Sequence, residues 1–253
     1  MKNNLYTDNF FTELRTDSLR SAKHIVPLIL ELIQPESVVD VGCGTGDFLY
    51  VFKEKGVKDI LGIDGQWVPR KKILIPEENF KTADLEKPLK LNKKFDLAVS
   101  LEVAEHLPKQ SAEIFVETLT NLSPIVLFSA AIPFQGGTHH INEQLQQYWA
   151  DLFKQRDYVP IDCIRKKIWG NEDVSYWYAQ NTLLFVKRDH IQKNKMLQKE
   201  YEQTYDSFLS IVHPKLYLPK AKRHDFIIYT IPYPFRLIII KLKRLLKRLL
   251  KCI

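Results

Sequence analysis

Residues 38–48 read Val-Val-Asp-Val-Gly-Cys-Gly-Thr-Gly-Asp-Phe, and this run constrains the fold more than any other part of the chain. A short β-branched stretch passes through three alternating glycines straight into an apolar-periodic segment, the pattern of strand, tight turn and helix. In an open parallel sheet such a turn lies beyond the carboxyl ends of the strands, where ligands bind. Glycine is scarce, with 9 in 253 residues, so its concentration here points to close backbone approach.

The rest of the chain repeats the unit. Ser21 to Leu32 reads as a helix through Ile25, Leu28, Ile29 and Leu32, and Phe48 to Lys55 as a second, closed by Gly56. Further strands are expected at Lys58 to Asp64, Phe80 to Asp84, Lys94 to Ser100 and Ile125 to Ala131, with helices at Gln110 to Leu122 and Glu143 to Arg156. Tyr158 to Arg165 and Thr182 to Val186 supply two last strands, separated by a turn region rich in aromatics. This alternation predicts an α/β, Rossmann-like, mostly parallel seven-stranded sheet with helices on both faces. The expected division is a domain over residues 1–187, a charged helix and proline-containing linker over 188–234, and a terminal helix over 235–253. His190 to Ile211 reads as a solvent-washed helix, and Pro214, Pro219 and Pro232 are expected to break regular structure after it.

Charge and cysteine narrow the function. The formal excess of +7 equals the seven basic residues between Arg236 and Lys251, which no acid opposes, so the body before them is near neutral. That argues against a nucleic acid partner, which usually meets a basic channel. Cys43, Cys163 and Cys252 form neither a disulfide framework nor a zinc pattern, which fits a reducing, cytoplasmic setting. No signal peptide or spanning segment is expected.

The acids spaced behind the turn separate the cofactor classes. Asp64 ends the second strand 20 residues after Gly44, where a carboxylate accepts both ribose hydroxyls. Asp84 is expected to end the third strand, facing an adenine amino group. A dinucleotide fingerprint needs glycine at position 47, and Asp47 stands there, poorly placed against a pyrophosphate. No Gly-Lys-Ser/Thr follows the turn, which removes the phosphate-cradling loop. A nucleoside cofactor without phosphates suits this turn, and an NAD-dependent oxidoreductase is the poorer reading.

With these residues the chain resembles the class I S-adenosylmethionine-dependent methyltransferases. VVDVGCGTG is similar to their first motif, Gly62-Ile63-Asp64 to the ribose-binding strand end and Ala83-Asp84-Leu85 to the adenine-side motif. Phe95 to Leu107 (FDLAVSLEVAEHL) is similar to the fourth-strand motif of the small-molecule branch. The resemblance covers roughly residues 20–187. It places Asp40, Gly42, Cys43, Gly44 and Gly46 on the cofactor, with the glycines lining its methionine and ribose. It also places Asp64 on the ribose, Asp84 and Leu85 beside adenine, and Leu101 near the nucleoside.

Methyl transfer to oxygen or nitrogen requires orientation of the acceptor and removal of its proton. Two histidine clusters stand at strand ends: His106 with Glu102 and Glu105, and the His139/His140 pair behind Gly136 and Gly137. His140, His139 and His106 are therefore the candidate bases. The same groups suit a divalent metal, and Glu102-x-x-Glu105-His106 resembles the Glu-x-x-Glu-His motif of metal-dependent branches, among them quinone-precursor and small-RNA terminal 2′-O-methyltransferases. No Asn-Pro-Pro-Tyr tetrad follows the fourth strand, which disfavours DNA adenine and glutamine acceptors. Trp149, Trp169, Tyr176, Trp177 and Tyr178 would either stack on a flat or sugar-like acceptor or pack the core.

The expected acceptor is a small molecule or a glycan, methylated on oxygen. A protein that kept the cofactor pocket without turnover is the competing reading. Within residues 235–253, Ile238, Leu242, Leu245, Leu249 and Ile253 would form one helical stripe opposite Lys241, Arg244, Arg248 and Lys251. Such a basic amphipathic helix reads as an anchor to an anionic membrane surface, on its cytoplasmic face, and makes a lipid-linked acceptor the natural one.

Overall fold

The computed structural model describes the backbone of residues 8–225 and the side chains of residues 16–223. The terminal amphipathic helix expected at 235–253 lies outside the described residues. The chain divides into two compact units, residues 1–211 and 212–253.

The first unit is built on seven strands: β1 (Ser37–Val41), β2 (Asp59–Asp64), β3 (Phe80–Thr82), β4 (Leu97–Leu101), β5 (Ile125–Ser129), β6 (Tyr158–Ile161) and β7 (Leu183–Lys187). They lie in the order β3-β2-β1-β4-β5-β7-β6. The first five are parallel, while β7 runs antiparallel to both β5 and β6. Order reverses between β1 and β4, so a crevice opens beyond the carboxyl ends of these two neighbours.

Alternate residues of each strand face opposite sides, and the core divides accordingly. Val38, Leu97, Val99, Leu101, Leu184 and Val186 pack with α1 (Asp8–Ile33) and α2 (Asp47–Glu54) on one face. Val39, Val41, Ala98, Val126, Leu183 and Phe185 pack with α3 (Ala112–Leu122) and α4 (Gln146–Lys154) on the other. The seven-stranded, two-faced α/β fold expected from the alternation is the one observed.

Three expectations need correction. Helix α1 begins at Asp8 and carries Pro27 inside it. Pro27 forgoes one ladder bond, a cost that burial of Ala22, Ile25, Val26 and Ile29 offsets. The aromatic turn region holds two short helices, α5 (Arg165–Ile168) and α6 (Tyr176–Asn181). The segment after β7 is not one helix, and although most of its residues are exposed as expected, three are buried. It folds as α7 (Arg188–Ile191), α8 (Lys195–Glu202) and a 3₁₀ turn at Asp206–Phe208, with Leu197 and Leu209 fully buried in the body. Arg165 holds the end of this segment, donating to the carbonyls of Leu209 at 2.7 Å and Phe208 at 3.3 Å while pairing with Asp162.

In the second unit, α9 (Pro214–Asp225) forms where prolines were expected to break structure. Pro214 occupies the first helical position, where its missing N–H costs no ladder bond, and only Pro219 is interior. Among the described residues no helix is long and apolar enough to cross a membrane.

Candidate active site

The turn after β1 is held from two sides. Gly42 N–H donates to the Ile63 carbonyl at 2.7 Å, and Asp64 Oδ2 accepts the Gly44 N–H at 2.7 Å. Asp64 Oδ1 accepts the Gly65 N–H at 2.6 Å. The β2 carboxylate thus braces the β1 turn and keeps lone pairs for a ligand.

The three glycines differ in purpose. A Cβ on Gly42 would lie 2.4 Å from Val103, and one on Gly46 would lie 3.3 Å from Ile75. These two make room for the protein's own side chains, Val103 and Ile75. Gly44, at φ +53, faces open space with nothing within 4 Å of a Cβ. It alone combines the left-handed backbone with an empty approach. Cys43 also turns inward: its Sγ would stand 2.8 Å from a Cβ on Gly62. Burial pushes its thiol well up, with Asp64 and Asp40 adding, so only its backbone is offered to the crevice.

Acidic charge gathers beneath the turn. Asp40 is buried and its carboxyl is raised well above the usual range, first by burial and then by Asp64 and Asp47. Asp64 is pushed up to about 6 by burial, against the lowering effect of the Gly44 and Gly65 amides. Such a cradle suits a cation and opposes a pyrophosphate.

Asp84 does not end a strand, because β3 stops at Thr82. It lies two residues on, paired with Lys87 at 3.1 Å and accepting the Glu86 N–H. With Gly65, Gln66, Trp67, Thr82, Ala83 and Glu86 it lines a cleft of about 530 Å³ beside the β2 and β3 ends. Leu85 and Leu101 are both buried, on opposite faces of the sheet: Leu85 with Val41 and Ile63, Leu101 with Cys43 and Phe48.

A second cleft, of about 350 Å³, lies past β4 and β5. Glu102 follows β4 in a left-handed conformation, φ +56, strained for a residue with a side chain. Its N–H bonds to Ser129 at the end of β5, and its carboxylate accepts from Gln135 Nε2 at 2.8 Å and Asn181 Nδ2 at 3.1 Å. The 3₁₀ turn Ala104–His106 then turns Glu105 and His106 toward the cleft. Two amides of the next loop, Ile141 and Asn142, donate to the Glu105 carbonyl at 2.9 and 3.0 Å, and this joins the β4 and β5 loops.

Glu105 is fully buried, and its carboxylate oxygens make no well-formed hydrogen bond, although the Ala131 and Glu105 amides and the Glu102 carboxyl lie close enough to act on it. Burial, then repulsion from Glu102, raises its carboxyl well above the ordinary value. His106 and His140 meet edge to face, ring centres 4.8 Å apart. One ligand atom from each of Glu105, His106 and His140 lies within 4.8 Å of the others, which suits a metal ion. Glu102 stands outside this triad because Gln135 and Asn181 hold it, so the Glu-x-x-Glu-His set expected from sequence is not assembled. His139, at φ +59, neither lines the cleft nor joins the cluster.

Tyr176, Trp177 and Tyr178 wall the cleft, whereas Trp149 is core, packed on Phe128. Gln135, Asn181 and Glu143 were missed in the sequence. Only Glu143, three residues after His140, carried a local signal.

A family model for a methyltransferase domain matches residues 13–163. No curated protein matches the chain. A chain from the complex of the Haloferax volcanii Trm112 methyltransferase activator with a methyltransferase superposes with a TM-score of 0.54 at 13% identity, over 73% of this chain and 96% of that one. An O-methyltransferase family protein from Burkholderia thailandensis gives 0.51 at 13% identity, over 73% and 61%. The methyltransferase domain of a bacterial CtHen1 protein gives 0.47 at 21% identity, over 66% and 97%. At these identities the likeness is one of fold.

Proposed function

This chain belongs to the class I S-adenosylmethionine-dependent methyltransferases, and on that premise we propose that it methylates a hydroxyl oxygen of a small molecule or glycan in the cleft past β4 and β5. The residues present fit the cofactor. Gly44 opens on empty space, Asp64 keeps lone pairs free beside it, and the acidic cradle suits a cationic ligand. When bound, S-adenosylmethionine supplies an electrophilic methyl group carried on a sulfonium.

The observation that carries the reading is Glu105, buried and without a well-formed hydrogen bond, beside two histidines in a cleft of acceptor size. A hydroxyl entering the cleft gives this carboxyl a hydrogen bond of good geometry. His140 receives the hydroxyl proton at Nε2, and the wall of Tyr176, Trp177 and Tyr178 offers a flat apolar face that excludes water and orients the acceptor. The resemblance assigns Leu85 and Leu101 to the nucleoside side of the cofactor and Asp84 to adenine.

One specific observation favours a second reading. The convergence of Glu105, His106 and His140 suits a divalent ion that polarises the acceptor hydroxyl. Calorimetry of the chelator-treated protein with S-adenosylmethionine, followed by an acceptor screen with and without added Mg²⁺ or Mn²⁺, tests both. Saturable binding is expected, and its absence in folded protein would sink the proposal. His140→Ala is expected to lower turnover by roughly 10²–10⁴-fold while cofactor affinity stays within about twofold. A fully active variant would remove His140 as base and as ligand.

We place the enzyme at the cytoplasmic face of an anionic membrane, where a lipid-linked glycan would be within reach. Support comes from the seven basic residues and apolar stripe of 235–253 in the sequence. Deleting 235–253 is expected to release the protein from anionic vesicles in a sedimentation assay. Equal sedimentation of both forms refutes that placement.

A further inference from the structure

We infer that Glu143 is a positioning residue that sets the proton on His140, and that Gly137 keeps the other ring nitrogen open to the cleft. The inference rests on the methyltransferase reading of the cleft only for its catalytic meaning; its geometry stands alone. Glu143 Oε1 accepts the Gly136 N–H at 2.7 Å and lies 3.1 Å from His140 Nδ1. Its Oε2 accepts the Phe134 N–H at 2.9 Å. One carboxylate therefore closes the loop from 134 to 143 on itself and ties the ring to it. Both partners are largely enclosed, the side chains 11% and 20% exposed, so solvent does not replace the contact cheaply.

The chemistry assigns the tautomer. A carboxylate that already accepts backbone N–H groups at both oxygens meets Nδ1 as a further acceptor, so Nδ1 carries the proton. Nε2 is then the nitrogen with a lone pair, ready for a proton or a cation. A histidine side chain free in water prefers the opposite form, with the proton on Nε2, so the loop works against an intrinsic preference. The same arrangement, a carboxylate behind a histidine, fixes ring orientation and raises basicity in many sites.

Gly137 supplies the second half. At φ +155 it lies so close to His140 that a Cβ there would stand 2.2 Å from Nε2. Any other residue there would collide with the ring at Nε2, Cε1 and Cδ2 and displace it from its place against Glu143. The glycine pair behind the histidines thus has distinct duties: Gly136 donates to Glu143, and Gly137 leaves Nε2 uncovered.

The test is long-range ¹H–¹⁵N NMR of histidine rings in the full chain, loaded with S-adenosylmethionine, near pH 8. The His140 signals are identified by their loss in His140→Gln. The wild type is expected to show Nδ1–H. Glu143→Gln, whose amide oxygen can still accept from Nδ1, is expected to keep that form. In Glu143→Ala the population is expected to move largely to Nε2–H, with cofactor affinity within about twofold of wild type. An Nε2–H tautomer in the wild type overturns the inference, and so does an unchanged tautomer in Glu143→Ala. The wild-type spectrum decides even if the alanine variant does not fold. Failure of the wild type to bind S-adenosylmethionine would instead count against the function proposed above, since the tautomer is read separately.

Discussion

Asp64→Ala is expected to weaken S-adenosylmethionine binding by roughly 100-fold, about 2.7 kcal/mol. Hydrogen bonds to a charged group contribute about 1.5–3 kcal/mol each, and the ribose offers two hydroxyls. The variant also deprives the Gly44 and Gly65 amides of their acceptor, so the turn loosens as the ligand contact is lost. Calorimetry on protein shown to be folded measures this, and an affinity within threefold of wild type would remove Asp64 from the site. The same carboxyl makes a signed pH prediction. Its folded pKa of about 6 lies above the unfolded value of about 3.9. Between these values the folded chain holds a proton that the unfolded chain has released. Stability of the cofactor-free protein therefore falls as pH rises from about 4 to about 6, by about 3 kcal/mol from this group. Asp64→Asn is expected to remove that contribution. Cofactor affinity runs the other way, weakening as pH drops below about 6, because the ionised carboxylate is the better acceptor for ribose.

Glu105→Met is expected to stabilise the protein by roughly 1–3 kcal/mol at pH 7 while abolishing methyl transfer. A buried carboxyl whose oxygens make no well-formed hydrogen bond recovers little of its desolvation. Methionine fills a similar volume with no polar atom, and the backbone carbonyl that accepts from Ile141 and Asn142 is untouched. The melting temperature should rise by several degrees in a chain of this size. A fall in melting temperature would show that Glu105 serves the fold, and the carboxyl would lose its claim on the acceptor. Strain of this kind at a site is stability given up for function.

Much of the fold was legible because strands buried on both faces of a parallel sheet read as short, nearly continuous apolar runs, set between helical periodicities. The runs at Ser37–Val41, Asp59–Asp64, Leu97–Leu101 and Ile125–Ser129 are of this kind. The stretches that misled are those where side chains far away in sequence decide. Residues 190–211 are mostly exposed, as their charge implies, but they are not one helix, and only Arg165 and the body's core show why Leu197 and Leu209, isolated among charges, bury. Pro214 and Pro219 read as breakers, yet a proline at the first helical position breaks nothing.

The candidate site divides in the same way. Asp64 was found by its distance from Gly44, a separation that the βαβ unit itself imposes. The room that Gly42 and Gly46 leave for Val103 and Ile75 was not, because those side chains come from other elements. His139 and His140 are neighbours in sequence with equal claims; the left-handed turn at His139 sends only the second ring to His106.

The sequence by itself determined the sheet, the turn and the cofactor class, since these follow from local periodicity and from spacings within one βαβ unit. Only the tertiary structure decided which acid lies buried without a well-formed hydrogen bond, which of His139 and His140 faces the cleft and which glycine of the turn meets open space. Those outcomes depend on contacts between loops that β4, β5 and β7 bring together, and distance along the chain carries no record of them.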